Sequence, residues 1–159
     1  MRQTKKRDVK LRVDRQAASA LRRGHPWVFA DGVDGKGELG EAVELLDRDG
    51  GTVGWGLWDE GGIAVRALSG EQMEIGAYYK KVLQRAELFR NRIIPSFTDT
   101  YRLVNGAGDG LPGVVVDRYG EVAVLRIYSA AHEVNVEKLV SAIAELPWVT
   151  TVFRRFGVR

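Results

Sequence analysis

No cysteine occurs anywhere in the 159 residues, and that single absence removes disulfides, zinc ribbons and thiol nucleophiles together. Histidine is nearly as scarce. His25 and His132 are the whole complement, too few to set up a metal-ligand spacing. Nor is there an apolar run near the roughly 20 residues that a membrane span requires. The basic N-terminus leads into Asp8, Lys10 and Arg12 instead of an apolar signal region. These absences lead us to expect a cytoplasmic protein with no membrane contact and no metal, whose chemistry must rest on carboxylates, hydroxyls or a partner. Hydrophobic residues at 45% and charged residues at 28% are the proportions of a chain that folds.

What the chain does have is a charge separation hidden in its net +3. As far as Arg23, nine cations (Arg2, Lys5, Lys6, Arg7, Lys10, Arg12, Arg15, Arg22 and Arg23) face two anions, Asp8 and Asp14, for a net +7. The remaining 15 cations meet 19 anions, for a net −4. A basic end of this kind suits a phosphate backbone, because each neutralised phosphate releases condensed counterions. A solubilising tail without a partner is the alternative reading.

The hydrophobic pattern divides the chain into two halves. Lys10 to Val13 alternates as a strand, and Gln16 to Arg23 is alanine-rich and helix-favouring, closed by Gly24 as a C-terminal cap. Strands are expected at Trp27 to Phe29, Glu41 to Asp47, Thr52 to Trp58 and Ile63 to Leu68, with Asp49-Gly50-Gly51 and Glu60-Gly61-Gly62 as hairpin turns. Short strands at this spacing suggest a small barrel, in which Gly54 and Gly56 mark a bend or a close backbone approach. Gly76 to about Arg92 is the clearest helix, carrying Tyr79, Val82, Leu83, Ala86 and Phe89 on one stripe. Beyond it come strands at Tyr101 to Val104, Gly113 to Asp117 and Val122 to Tyr128, a helix over Glu133 to Leu146, and a strand at Trp148 to Phe153. The expected class is α+β: a β pseudo-barrel over 1–72, a linking helix over 73–95, and a small β-β-β-α-β domain over 96–159.

Gly108 to Gly113 reads Gly-Asp-Gly-Leu-Pro-Gly, a formal match to the G-x-G-x-x-G phosphate-binding fingerprint. That fingerprint needs a helix N-terminus directly after the glycines. Here Val114, Val115 and Val116 follow, a β-branched run that favours a strand. The acidic residue expected roughly 20 positions later is out of place, since Asp117 comes only four residues after Gly113. The loop therefore reads as a connector between strands, and we expect no cofactor to be bound by this chain.

Three strings nevertheless resemble a known family. Leu21-Arg-Arg-Gly-His-Pro-Trp-Val-Phe29, Ile63-Ala-Val-Arg-Ala-Leu-Ser69 and Tyr101-Arg-Leu-Val-Asn-Gly-Ala-Gly-Asp-Gly-Leu-Pro-Gly-Val-Val-Val-Asp-Arg-Tyr119 are similar to the N-terminal part of bacterial large-subunit ribosomal RNA cytosine-C5 methyltransferases. The resemblance implies a PUA domain, which is an RNA-binding pseudo-barrel, then a small α/β domain. A Rossmann-like domain binding S-adenosylmethionine would come third, and this chain is expected to stop before it. Cysteine chemistry agrees independently: cytosine C5 is activated by adding a thiolate at C6, which a chain without cysteine cannot do. Ala107 departs from the glutamate usual in the family. The expected function is RNA binding and substrate recognition for an rRNA methyltransferase, not catalysis, with large-subunit rRNA as the partner. The alternative is an interaction module that docks to a separate catalytic subunit or forms a homodimer, marked by an exposed apolar edge near Trp148 to Phe153.

Candidate RNA contacts are Lys10, Arg12, Arg22, Arg23, Gly24, His25 and Arg66. Arg22 and Arg23 flank a glycine turn that lets backbone approach a phosphate while guanidiniums bind its oxygens; capping a helix C-terminus is the other reading. His25 and Trp27 could present rings for base stacking, although Trp27 opens an apolar strand and is expected in the core. Arg66, among Val65, Ala67 and Leu68, either faces RNA or forms a structural ion pair, and Arg126 poses the same choice. Asp109 is expected to cap a turn and Asp117 to pair with Arg118. His132 falls at a helix start, with no function assigned.

Overall fold

A computed structural model of the chain describes residues 9–156. Arg2, Lys5, Lys6 and Arg7, part of the basic end, lie outside the described residues. The fold divides into two compact units between Gln72 and Met73.

The first unit is built on a six-stranded sheet. Its strands are β1 (Val9–Val13), β2 (Trp27–Phe29), β3 (Val33–Asp34), β4 (Ala42–Leu46), β5 (Thr52–Trp58) and β6 (Ile63–Leu68), in the order β2-β6-β5-β4-β1-β3. All pairs are antiparallel except β1 with β4. The end strands β2 and β3 are joined by a single 3-10 turn, Ala30–Gly32, so the sheet curls back on itself into a nearly closed barrel. Hydrophobic burial closes it from inside: Leu11, Val13, Val28, Val43, Leu45 and Val65 form one cluster with Ala18 of α1 (Arg15–Arg22). The alternation along β1 is the reason Leu11 and Val13 point in while Lys10 and Arg12 point out. Gly56 marks the close approach expected of it, because a Cβ there would stand 2.2 Å from the Arg66 carbonyl oxygen. The two-residue strand β3 has no counterpart in the hydrophobic pattern, being too short to alternate.

The second unit is a four-stranded sheet with helices. Its elements are α2 (Ile75–Ile93), β7 (Thr100–Asn105), β8 (Val114–Tyr119), β9 (Val122–Ile127), α3 (Ala130–Glu133), α4 (Val136–Ala144) and β10 (Thr151–Arg154), with sheet order β10-β9-β8-β7. Only the β9–β10 pair is parallel. Tyr79, Leu83, Leu103, Val104, Val116, Leu125, Leu139 and Ile143 are its buried core. Where one helix is expected over Glu133 to Leu146, a short helix, α3, ends at Glu133 and α4 then covers Val136–Ala144. Ser129 caps the first by accepting from the His132 amide. Asn135 leaves helical geometry and turns its side-chain amide back onto the Ala131 carbonyl, which ends the first helix before the second begins.

Candidate nucleic-acid interface

The edge of the first unit is shaped by how α1 stops. Asp14 caps its start, accepting from the Ala17 amide at 2.7 Å. At its end Gly24 takes φ +82°, and the amides of Gly24 and His25 donate to the carbonyls of Leu21 and Ala20 at 2.8 and 3.0 Å. This is a Schellman closure, which a residue with a Cβ adopts only with strain. It delivers the chain directly into edge strand β2.

On β2 only Val28 faces the core. His25, Trp27 and Phe29 alternate to the other side and form an aromatic cluster, with His25 edge-on to Trp27 at 5.7 Å and Trp27 edge-on to Phe29 at 6.4 Å. Trp27 is 39% exposed and Phe29 48%. Trp27 is therefore not in the core; the strand is three residues long and lies at the sheet edge, so its period of two sends both rings outward. The backbone of Trp27 holds the imidazole, whose Nδ1 lies 3.0 Å from the Trp27 carbonyl oxygen. These rings and Arg23, with Gln16 and Ala20 of α1, line a groove of about 680 Å³ that Asp14 and Asp31 also border.

The expected contact residues fall into two sets. Arg22, Arg23, Gly24 and His25 sit together where α1 meets β2, and Arg66 joins them through the cross-strand pair Trp27–Arg66. Lys10 and Arg12 stand on β1, four strands away in sheet order. Several of these cations already hold a carboxylate: Lys10 pairs with Glu44 at 2.8 Å, Arg22 with Asp47 at 2.5 Å, and Arg66 with the buried Asp59 at 2.7 Å. The Lys10 hydrogen bond, with a second from Thr52, holds the Glu44 carboxyl below its ordinary range. Arg23 donates to Ser19 Oγ at 2.7 Å and remains exposed. Phe29 was not among the sequence candidates; the signal that finds it is the aromatic repeat at positions 25, 27 and 29.

The glycine loop of the second unit is occupied by packing. Gly106–Asp109 forms a 3-10 turn and leads into strand β8, with no helix after it. Asp109 caps that turn as expected, accepting from the Asn105 amide and from Arg90, both at 2.7 Å. Tyr78 donates to the Gly110 carbonyl at 2.8 Å, and Leu111 is fully buried. Gly113 has φ +94°, and a Cβ there would lie 2.8 Å from Ser129 Cβ. Gly110 and Gly113 thus serve turn geometry and close packing, and a strand, not a helix N-terminus, follows the loop. Among the described residues no His, Asp and Glu group could hold a metal, and no helix is long and apolar enough to cross a membrane.

Asp117 pairs differently from expectation. It takes Arg102 of β7 at 2.8 Å and lies 3.9 Å from Arg126 of β9, since adjacent residues on a strand point to opposite faces. Arg118 instead donates to the Gly120 carbonyl and lies over the Tyr101 and Trp148 rings. Phe153, on edge strand β10, is 57% exposed.

Comparison with known proteins places these units. The PUA-like domain family matches residues 11–70. Ribosomal RNA large subunit methyltransferase I of Escherichia coli O9:H4 (strain HS) is 32% identical over 158 residues, and its Shigella boydii serotype 4 (strain Sb227) counterpart is 34% identical. Each alignment covers 94% of this chain and 40% of the relative, so the chain spans about two fifths of these proteins. Among solved structures, a Streptococcus mutans chain assigned as a SAM-dependent methyltransferase superposes with TM-score 0.79 at 21% identity, covering 93% of this chain and 40% of its own. A methyltransferase complexed with SAH superposes with TM-score 0.80 at the same identity and coverage. These two likenesses establish the fold.

Proposed function

We propose that this chain is the RNA-recognising part of an S-adenosylmethionine-dependent rRNA methyltransferase, and that the groove between α1 and β2 is its principal RNA contact. The observation that carries this reading is the outward-facing His25, Trp27 and Phe29 cluster beside Arg23, on a domain matched by the PUA-like family. A monomeric soluble surface rarely leaves adjacent large aromatics open unless they bind something. Here cations flank them, the combination that stacks bases and neutralises phosphates.

In this account Trp27 and Phe29 stack on bases, Arg22 and Arg23 hold phosphate oxygens, and Gly24 lets the backbone come close. Arg12 adds positive potential on the barrel, Lys10 and Arg66 are held by Glu44 and Asp59, and exchange of Arg22 from Asp47 to phosphate would be the switch on binding. The methyl donor belongs to the parent protein, as does the choice of cytosine C5, which rests on the Tyr101 to Tyr119 string. Mass spectrometry of rRNA modified by the whole protein tests that choice.

RNA binding itself is tested by fluorescence anisotropy of the full chain with a labelled rRNA hairpin across a salt series. With about four phosphates neutralised, the log-log slope is about −3.6 on a duplex and shallower on single strands. Arg22→Ala with Arg23→Ala lowers that slope by about two. An unchanged slope removes this end of the barrel from the interface.

A further inference from the structure

The strand pairing of the second unit sorts its side chains onto two faces. One face buries Val104, Val116 and Leu125. The other carries Arg102, Asp117, Val124 and Phe153 in one cross-strand row, with Thr100, Tyr119 and Val122 in a second row and Asn105, Val115 and Arg126 in a third. This face is open: Tyr119 is 50% exposed and Phe153 57%, and Val115, Val122 and Val124 are only half-buried. A cavity of about 490 Å³ opens onto it, lined by Arg90, Arg102, Arg118 and Arg126 with Asp117 the one carboxylate.

We propose that this open face is a second nucleic-acid platform, which takes single-stranded RNA with bases stacked on Tyr119 and Phe153 and a phosphate held by Arg126 and Arg102. The inference rests on the reading that the chain binds RNA, and it adds a separate surface to that reading. Charge complementarity selects the occupant. The cavity lining holds four guanidiniums and one carboxylate; Arg90 is paired with Asp109 at 2.7 Å, Arg118 lies over the Tyr101 and Trp148 rings, and Asp117 is shared between Arg102 at 2.8 Å and Arg126 at 3.9 Å. The Nε of Arg126 is buried without an acceptor, and its one carboxylate contact is the long one to Asp117, so Arg126 keeps donor capacity for a ligand. Of the other nearby carboxylates, Asp109 is taken by Arg90 and the Asn105 amide, and Asp99 and Glu121 flank the Tyr119-Gly120 turn beyond the strand ends.

Geometry favours a single strand over a duplex. Tyr119 and Phe153 lie two strands and two residues apart, roughly 12 Å by ordinary sheet spacing, on one face of the sheet. Unstacked bases can lie on such a sheet, as in other four-stranded RNA platforms, whereas a paired helix hides its base faces.

The test crosslinks thiouridine-substituted single-stranded RNA to the full chain by ultraviolet light and maps the modified peptides. Crosslinks are expected on the peptides holding Tyr119 and Phe153 as well as on the His25 to Phe29 segment. Tyr119→Ala and Phe153→Ala, both at exposed positions, should each weaken single-strand binding about five-fold or more while leaving hairpin binding within about two-fold. Arg126→Gln should reduce the single-strand salt slope by about 0.7.

Crosslinks confined to the first unit, with affinity unchanged in the Tyr119 and Phe153 variants, overturn the second platform and leave the first intact. Crosslinks confined to the second unit do the reverse. A salt-insensitive dimer abolished by Phe153→Ala assigns the face to a second copy of the chain and also overturns the proposal.

Discussion

The Tyr79 hydroxyl and His132 Nδ1 are hydrogen-bonded at 2.8 Å across 53 positions of sequence, tying α2 to α3 where both side chains are fully buried. Burial pushes the Tyr79 phenol upward, with the negative potential of Glu74 adding to it. In the unfolded chain a tyrosine ionises near pH 10; in the fold it stays protonated to higher pH. The stability this confers is fully present below about pH 10 and falls as pH rises beyond it. Urea melts at about pH 8 and about pH 11 should show the decline, and Tyr79→Phe should flatten it while losing about 1–3 kcal/mol at the lower pH.

Gly113→Ala should cost about 2–4 kcal/mol, because the residue would hold a left-handed backbone and press on Ser129. Gly108→Ala should stay within about 0.5 kcal/mol, since nothing lies within 4 Å of its added methyl. Thermal melts of the pair test whether Gly113 is held by packing while Gly108 is not.

Asp117→Asn should lower stability by about 1–3 kcal/mol, because Arg102 and Arg126 lose the charge they share. The Asp117 hydrogen bond also holds the Arg102 guanidinium above its ordinary range, so that elevation should vanish. The same variant should bind single-stranded RNA more tightly and with a steeper salt dependence. Anisotropy titrations alongside denaturant melts would show the two effects moving in opposite directions.

Gly56→Ala should be among the most damaging single changes in the first unit, by about 3 kcal/mol or more, because its Cβ would meet the Arg66 carbonyl. The expected signature is loss of cooperative unfolding for the barrel, read from the fluorescence of Trp55 and Trp58.

Most of this fold was legible in the sequence because period decides it. Alternation marked β1, the Gly-rich turns at 49–51 and 60–62 bounded β4, β5 and β6, and the three-to-four spacing from Tyr79 to Phe89 marked α2. Gly24 announced the end of α1 by its residue type. What was not legible depended on particular partners that hydrophobic period does not specify. Trp27 looked like core because it begins an apolar run, but an edge strand of three residues has room for only one inward side chain. Asp117 sits beside Arg118 in sequence yet pairs across strands. The helix break at Asn135 reflects one side-chain hydrogen bond back to Ala131, which periodicity does not register.

The groove between α1 and β2 is tested most directly by the Trp27→Ala, Phe29→Ala double variant in anisotropy titrations of the full chain with an rRNA hairpin, at one fixed salt concentration. Both rings are exposed, so circular dichroism should remain that of the parent chain. Two stacking surfaces removed together should weaken binding by about ten-fold or more. An affinity equal to that of the parent chain would contradict the account, because the aromatic edge on which it rests would then touch no RNA.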